Sequence, residues 1–183
     1  MLFRSGLDRW ILEQHAQGAA VWGICGGCQM LGRTISDPFG VESSEGTAEG
    51  LGLLPVDTVL QPEKTTRVVE AESAASGRCF RAYEIHMGET TFSAEGRTRP
   101  APFALVDGRP EGVRENGILG TYLHGALEDP CLLEELLKEV AARRSKKAPI
   151  IGGRPSKDAM YDRLARWFEV NVDLARFESL YLI

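Results

Sequence analysis

The run Gly23-Ile24-Cys25-Gly26-Gly27-Cys28-Gln29 constrains this chain more than any other stretch. Ala19, Ala20, Val21, Trp22 and Ile24 read as a short, apolar, buried strand, and Gln29, Met30, Leu31, Gly32 and Arg33 as the helix that follows. Cys25 then occupies the turn between them. Glycines on both sides permit a tight backbone there, which can expose the cysteine and aim neighbouring N–H groups at whatever it attacks. The partial positive charge of the helix N-terminus favours thiolate over thiol, drawing a free-cysteine pKa of about 8.5 towards neutrality. A strand, a strained turn carrying a thiol, and a helix are the parts of an α/β nucleophile site.

A thiolate nucleophile needs a base, and the chain has three histidines to offer. His124 lies in Gly120-Thr121-Tyr122-Leu123-His124-Gly125, a β-prone run closed by glycine, which puts an imidazole at a strand end, where α/β sheets carry their sites. His15 falls in an expected surface helix from about Leu7 to Gln17 and reads as a solvated side chain. His86 alternates with Glu84 in Tyr83-Glu84-Ile85-His86-Met87-Gly88, so the two side chains share one face of a strand and can form a polar pocket wall. Cys25-Gly26-Gly27-Cys28 is also a C-x-x-C at a strand-to-helix junction, the pattern of a thioredoxin-like redox site. Cys79 and Cys131 are isolated, which argues against zinc and for small buried hydrophobes.

Gly23-Ile24-Cys25-Gly26-Gly27, with Gln29 four positions after the cysteine, resembles the nucleophile elbow of class I glutamine amidotransferases. Four further blocks resemble, in order, the glutaminase domain of the cobyric acid synthase family: Glu49-Gly50-Leu51-Gly52-Leu53-Leu54-Pro55-Val56, Lys64-Thr65-Thr66-Arg67, Ala82-Tyr83-Glu84-Ile85-His86-Met87-Gly88, and Gly120 to Gly125. Tyr161-Asp162-Arg163-Leu164-Ala165 is similar to the end of the same enzymes. The resemblance implies a flavodoxin-like α/β sheet with helices on both faces. It implies that Cys25 attacks the side-chain amide of glutamine, that His124 moves the proton, and that the Gly26 N–H stabilises the oxyanion. Gln29, Glu84 and His86 would help hold the substrate. Ammonia would pass to a synthetase part that uses ATP and Mg²⁺ to amidate corrinoid carboxylates.

The chain departs from that pattern in three places. Most class I amidotransferases carry a glutamate two residues after the histidine; here the position is Ala126, in keeping with a corrinoid branch that works with a cysteine–histidine pair, and Glu84 is a substitute to consider. Cys28 stands where an aromatic residue is more usual. Further strands and a glycine-bearing loop with a second oxyanion donor are expected ahead of Ser5-Gly6-Leu7-Asp8, and the synthetase part ahead of those. Without them the first strands of the sheet are missing, and exposed sheet edges would favour a homo-oligomer. An inactive fragment or binding module of the same family is therefore a second reading of the chain.

Composition and charge narrow the partners. Hydrophobic residues make up 43% of 183, enough for one core, and no apolar run approaches the roughly 20 residues of a membrane span. Together with four cysteines, one meant to be a free thiol, this points to a cytoplasmic protein without membrane partners. A net charge of −5 leaves no nucleic-acid footprint. No cofactor is expected in this chain, and no Gly-x-x-x-x-Gly-Lys-Ser/Thr is present to hold ATP.

The expected order of elements is alternating. Ser36 to Glu49 reads as a long loop with a turn at Asp37-Pro38. Strands are expected at Leu51–Leu60, Thr65–Ala71, Cys79–His86, Phe103–Val106 and Gly117–Leu123. A helix follows Asp129-Pro130, with Leu132, Leu133, Leu136, Leu137 and Val140 as its apolar face. Residues 1–147 form a partial amidotransferase domain, and 148–183 a linker and a C-terminal helix from about Ser156 that packs on it.

Overall fold

The computed structural model describes residues 5–44, 46–93, 99–149 and 157–181. The chain runs through α1 (Leu7–Ala16), β1 (Val21–Ile24), α2 (Gly26–Leu31), β2 (Thr34–Ser36), β3 (Thr47–Glu49), β4 (Val56–Val59), β5 (Thr65–Ser73), β6 (Cys79–His86) and β7 (Glu89–Phe92). It continues with β8 (Ala104–Val106), β9 (Arg109–Glu111), β10 (Val113–Glu115), β11 (Ile118–Thr121), β12 (Leu123–His124) and α3 (Pro130–Arg143). Two compact units divide it, residues 1–149 and residues 150–183.

The fold is α/β, as the strand–turn–helix at Cys25 implies, and its strands fall into three sheets. β1, β11 and β10 form one, with β1 parallel to β11 in the register Ile24↔Thr121. A five-stranded antiparallel sheet runs β12-β6-β5-β8-β9, and a four-stranded sheet runs β3-β2-β4-β7. Parallel pairing is confined to β1 with β11 and β2 with β4 among the described residues. The other pairs are antiparallel: β2–β3, β5–β6, β8–β9 and β10–β11 join consecutive strands, and β4–β7, β5–β8 and β6–β12 join strands distant in sequence.

Alternation builds the core. Val69, Ala71 and Ser73 of β5 and Phe80 and Ala82 of β6 point inward, with exposed residues between them. Of these, Val69, Ala71, Phe80 and Ala82 pack with Phe103, Leu119, Leu123, Leu132 and Leu136 in one cluster. Leu31, Leu54, Val56 and Ile118 form a second beneath α2. Asp129 caps α3 as expected: its Oδ1 accepts from the N–H groups of Cys131 at 3.0 Å and Leu132 at 2.9 Å, and Pro130 sits where no N–H is needed. Leu132 and Leu136 are the buried centre of its apolar face, flanked by the partly buried Leu133, Leu137 and Val140.

Several short elements differ from the sequence expectation. The loop expected from Ser36 to Glu49 contains β3, which pairs antiparallel with β2. Its turn is tied by Asp37, whose carboxylate accepts from Val41, Glu42 and Ser43 at 2.7 to 2.9 Å. Those backbone N–H groups, Glu42 foremost, hold the Asp37 carboxyl below its ordinary range. The run Leu51–Leu60 is strand only over Val56–Val59, because Leu51 to Pro55 turn beneath α2 through backbone bonds such as Leu54 N–H to Leu31 O at 2.8 Å. The single helix expected near the C-terminus is two, α4 (Lys157–Asn171) and α5 (Leu174–Tyr181), with Asp173 accepting from the Arg176 N–H at 3.1 Å. Within that unit Phe168 meets Phe177 edge-on at 5.1 Å. The expected linker lies largely outside the described residues.

Candidate functional site

β1 ends one residue before Cys25, and the turn there is strained. Cys25 has φ 56 and ψ −118, a conformation that an L-residue adopts at a cost of about 1–3 kcal/mol and that clusters at functional sites. Two features hold it in place. The Cys25 N–H donates to Thr121 O at 2.9 Å, extending the β1–β11 ladder past the strand end, and the Gln29 N–H donates to Cys25 O at 3.2 Å, opening α2. Gly23 is required by packing: a Cβ there would lie 2.5 Å from Gly27 O and 2.6 Å from Leu31 Cδ1. Strand and helix pack too closely for any other side chain.

Above the turn the backbone is open. Nothing lies within 4 Å of where a Cβ would stand on Gly26 or Gly27, so the space beside these two residues is free. As the first residues of α2 they have no intrahelical acceptor. The Cys25 Sγ donates to Ile85 O at 3.5 Å, and Gln29 Nε2 donates to Met87 O at 3.4 Å. The end of β6 therefore runs along the elbow, which ties the Cys25 and Glu84–His86 motifs into one region.

His124 reaches this region through β11. The chain passes from Thr121, the partner of Ile24, through Tyr122 to β12, which leaves the β1–β11 sheet and pairs with β6, so His124 lies three residues past the strand that Cys25 follows in register. His124 Nε2 is buried and has no hydrogen-bond partner among the described residues. A buried imidazole nitrogen without a partner is uncommon in folded proteins, where such atoms are usually hydrogen-bonded. Gly125, at φ 77, turns the chain away immediately afterwards.

Glu84 and His86 do share a face, as their spacing requires. His86 Nε2 lies 3.3 Å from Glu84 Oε1, its Nδ1 lies 2.8 Å from Gly88 O, and its ring stacks on Tyr122 at 4.5 Å. Glu84 also takes a bond from Arg67 Nε at 2.6 Å. Glu84 as an orienting carboxylate for His124 is corrected by the register: Glu84 stands opposite Leu123 and Tyr83 opposite His124. Directly opposed residues share a face and successive ones alternate, so Glu84 and His124 lie on opposite sides of the sheet. With His86, Glu84 instead lines a cavity of about 960 Å³ whose wall also includes Cys28, Thr90, Glu111 and Tyr122.

Two buried groups shape that wall. Burial, then the charges of Glu111 and Cys25, pushes the Cys28 thiol up to about 12, and its Sγ packs where a Cβ on Gly120 would come within 2.7 Å. Cys28 thus serves as a core residue beneath the elbow. Cys25 and Cys28 are both free thiols, and Cys79 and Cys131, expected to be buried, are exposed, because Cys79 takes an outward position of β6 and Cys131 lies off the buried face of α3. Burial also raises the Tyr122 phenol, against hydrogen bonding to Thr90, Gln29 and Thr58. The phenol oxygen lies 2.5 Å from Thr90 Oγ1, which lies 2.7 Å from Thr58 Oγ1.

Glu111 escaped the sequence reading. It lies in Arg109-Pro110-Glu111-Gly112, which reads as a plain turn, and only pairing across two sheets brings it to the site. Its carboxylate accepts from the Tyr122 N–H at 2.7 Å and from Thr121 Oγ1 at 2.8 and 3.0 Å. Burial pushes it up to about 7, more than those bonds pull it down. No group of three or more His, Cys, Asp or Glu is placed to hold a metal ion among the described residues, so none is assigned to Mg²⁺. None of their helices is long and apolar enough to cross a membrane.

Residues 1–130 match the CobB/CobQ-like glutamine amidotransferase domain family. Over 177 residues the chain is 41% identical to a cobyric acid synthase of Cereibacter sphaeroides, covering 96% of this chain and 35% of that protein. A cobyric acid synthase of Bacteroides fragilis is 39% identical over 174 residues, covering 94% and 34%. One from Limosilactobacillus reuteri is 34% identical over 193 residues, covering 98% and 37%. The chain spans about a third of the length of these relatives. Among solved structures, a glutamine amidotransferase superposes with a TM-score of 0.52 at 19% identity, over 77% of this chain and 71% of that one, which is a likeness of fold.

Proposed function

Because the chain belongs to the CobB/CobQ-like glutamine amidotransferase family, we propose that it is the glutaminase part of a cobyric acid synthase. In this reading it hydrolyses glutamine through a thioester on Cys25 and hands ammonia to a synthetase part that amidates corrinoid carboxylates. The observation that carries it is the strained Cys25 turn, tied to Thr121 and open above Gly26. ATP and Mg²⁺ act on the synthetase part, and this chain's contribution is nucleophile, base and substrate grip.

The steps follow from the residues. His124 accepts the Cys25 proton as the sulfur attacks the glutamine Cδ carbonyl. The Gly26 N–H donates to the oxyanion, an interaction whose loss typically costs on the order of 3 kcal/mol in acyl transfer. Collapse of the tetrahedral intermediate expels ammonia, which takes the proton back from His124. A water, deprotonated by the same imidazole, then attacks the thioester and releases glutamate. Gln29, anchored on Met87 O and Tyr122, stands one helical turn beyond the nucleophile, where it grips the substrate.

Mass spectrometry after exposure to an electrophilic glutamine analogue tests the reading. Labelling of Cys25 that excess glutamine suppresses, and that Cys25→Ser abolishes, is the expected result. A Cys25–Cys28 disulfide without labelling supports the redox reading instead, and free unlabelled thiols support a catalytically silent member of the family.

A further inference from the structure

We infer that Glu111 is a positioning residue for the Cys25–His124 pair, acting through the Thr121–Tyr122 peptide, which holds the Cys25 N–H and leads from β11 into β12, the strand that carries His124. The inference rests on the proposed roles of Cys25 and His124 and adds a third residue to them.

Glu111 occupies a corner of the fold. It ends β9 in the five-stranded sheet, and one residue later β10 begins in the three-stranded sheet. Gly112 makes the crossing, at φ 69, where a Cβ would lie 2.7 Å from Gly120 O and 2.8 Å from Phe103 Cβ. The backbone on either side of Glu111 is therefore held, and its side chain has a defined origin. From there the carboxylate receives the Tyr122 N–H at 2.7 Å and the Thr121 hydroxyl at 2.8 Å.

The Thr121 hydroxyl also accepts from the Leu123 N–H at 3.1 Å. Thr121 O accepts from the Cys25 N–H at 2.9 Å. One carboxylate thus fixes the peptide that on one side sets the nucleophile turn and on the other leads, through Leu123, to His124. Between β11 and β12 the ladder is broken, and the Tyr122 N–H has no strand partner; Glu111 takes that place. Around it stand Glu84 and His86 of β6, Tyr122 itself and the Cys28 thiol of α2.

Glutamine points to the same geometry in a different charge state. Its Oε1 can accept from the Tyr122 N–H while its amide stays beside the Thr121 hydroxyl, whereas alanine leaves both without a partner.

The experiment measures the alkylation rate of Cys25 by iodoacetamide across pH, with peptide mass spectrometry to separate it from the other thiols. The chain alone suffices. The parent protein gives the reference midpoint, which His124→Asn is expected to raise. Glu111→Ala is expected to raise it as His124→Asn does, the double variant no further, and Glu111→Gln to restore the parent midpoint. Thr121→Val, which keeps the backbone bond to Cys25 and the Tyr122 N–H bond to Glu111 but removes the hydroxyl, should move the midpoint in the same direction by less than Glu111→Ala, and reads the effect should that variant fail to fold.

A His124-dependent midpoint that neither Glu111→Ala nor Thr121→Val moves overturns the inference and leaves the proposed function standing. Glu111→Gln shifted as far as Glu111→Ala overturns it too, since charge rather than position would then matter. A parent midpoint that His124→Asn leaves unmoved removes the cysteine–histidine pair itself, and the inference with it.

Discussion

Gly120→Ala should destabilise the fold through one atom, and removing one atom elsewhere should repair it. The new Cβ would stand 2.7 Å from Cys28 Sγ and 2.8 Å from Leu54 Cδ1, where ordinary contacts are about 3.5–4.0 Å. Neither neighbour has slack: Cys28 is 2% exposed and Leu54 0%. Overpacking of this kind costs about 1–3 kcal/mol, offset by up to about 1 kcal/mol because alanine restricts the unfolded chain. Cys28→Ala alone should cost about 1 kcal/mol for the buried atom it deletes. In the double variant the two Cβ atoms stand at 3.5 Å, an ordinary contact, and Leu54 Cδ1 gains the space that the deleted sulfur leaves beside it. The double should therefore be more stable than the sum of the singles by at least about 1 kcal/mol. Urea unfolding of all four proteins, at unchanged m, measures this, with about 2–4 °C of Tm per kcal/mol as a second scale. Additivity to within about 0.5 kcal/mol refutes the close approach of α2 to β11 that the nucleophile turn depends on.

Cys25→Gly should abolish labelling yet raise stability by about 1 kcal/mol, because glycine accepts φ 56, ψ −118 without strain; a less stable variant in thermal unfolding would count against the strained turn. His124→Asn should lower glutaminase turnover by about 10²-fold or more without loss of fold by circular dichroism, and turnover equal to the parent's removes it as the base. Glu111 is held at about 7 against an ordinary 4.5, so the folded state keeps its proton longer than the unfolded chain does. Its contribution is full below about 4.5 and is lost as pH rises through about 7, at most about 3 kcal/mol. Stability of Glu111→Gln should accordingly fall less than the parent's between those values, and parallel curves in denaturant titrations would contradict the burial. Asp129→Ala should cost about 0.5–2 kcal/mol by uncapping α3, read from urea midpoints.

What local chemistry decides, the sequence shows directly. The β6 boundaries, Cys79 to His86, follow from alternation alone, and α3 follows from its Asp-Pro cap and leucine spacing. Cys25 was legible because its turn needs glycines at fixed offsets, and Gly23 and Gly120 mark where helix and strands nearly touch. The short strands β2, β3, β9 and β10 were not legible. Three residues carry too little periodicity to stand out, and each is a strand only because a partner completes its hydrogen bonds.

The site divides the same way. Thiol, imidazole and the shared face of Glu84 and His86 depend on spacing within one element, which the sequence contains. That Glu84 lies across the sheet from His124, and that Glu111 reaches the peptide between Thr121 and Tyr122, depends on how distant elements pair. Nothing near Glu111 in the chain distinguishes it from other turn carboxylates. Its role arises where two sheets meet and leave one backbone N–H to be satisfied from outside the ladder, a condition that exists only once the tertiary structure has formed.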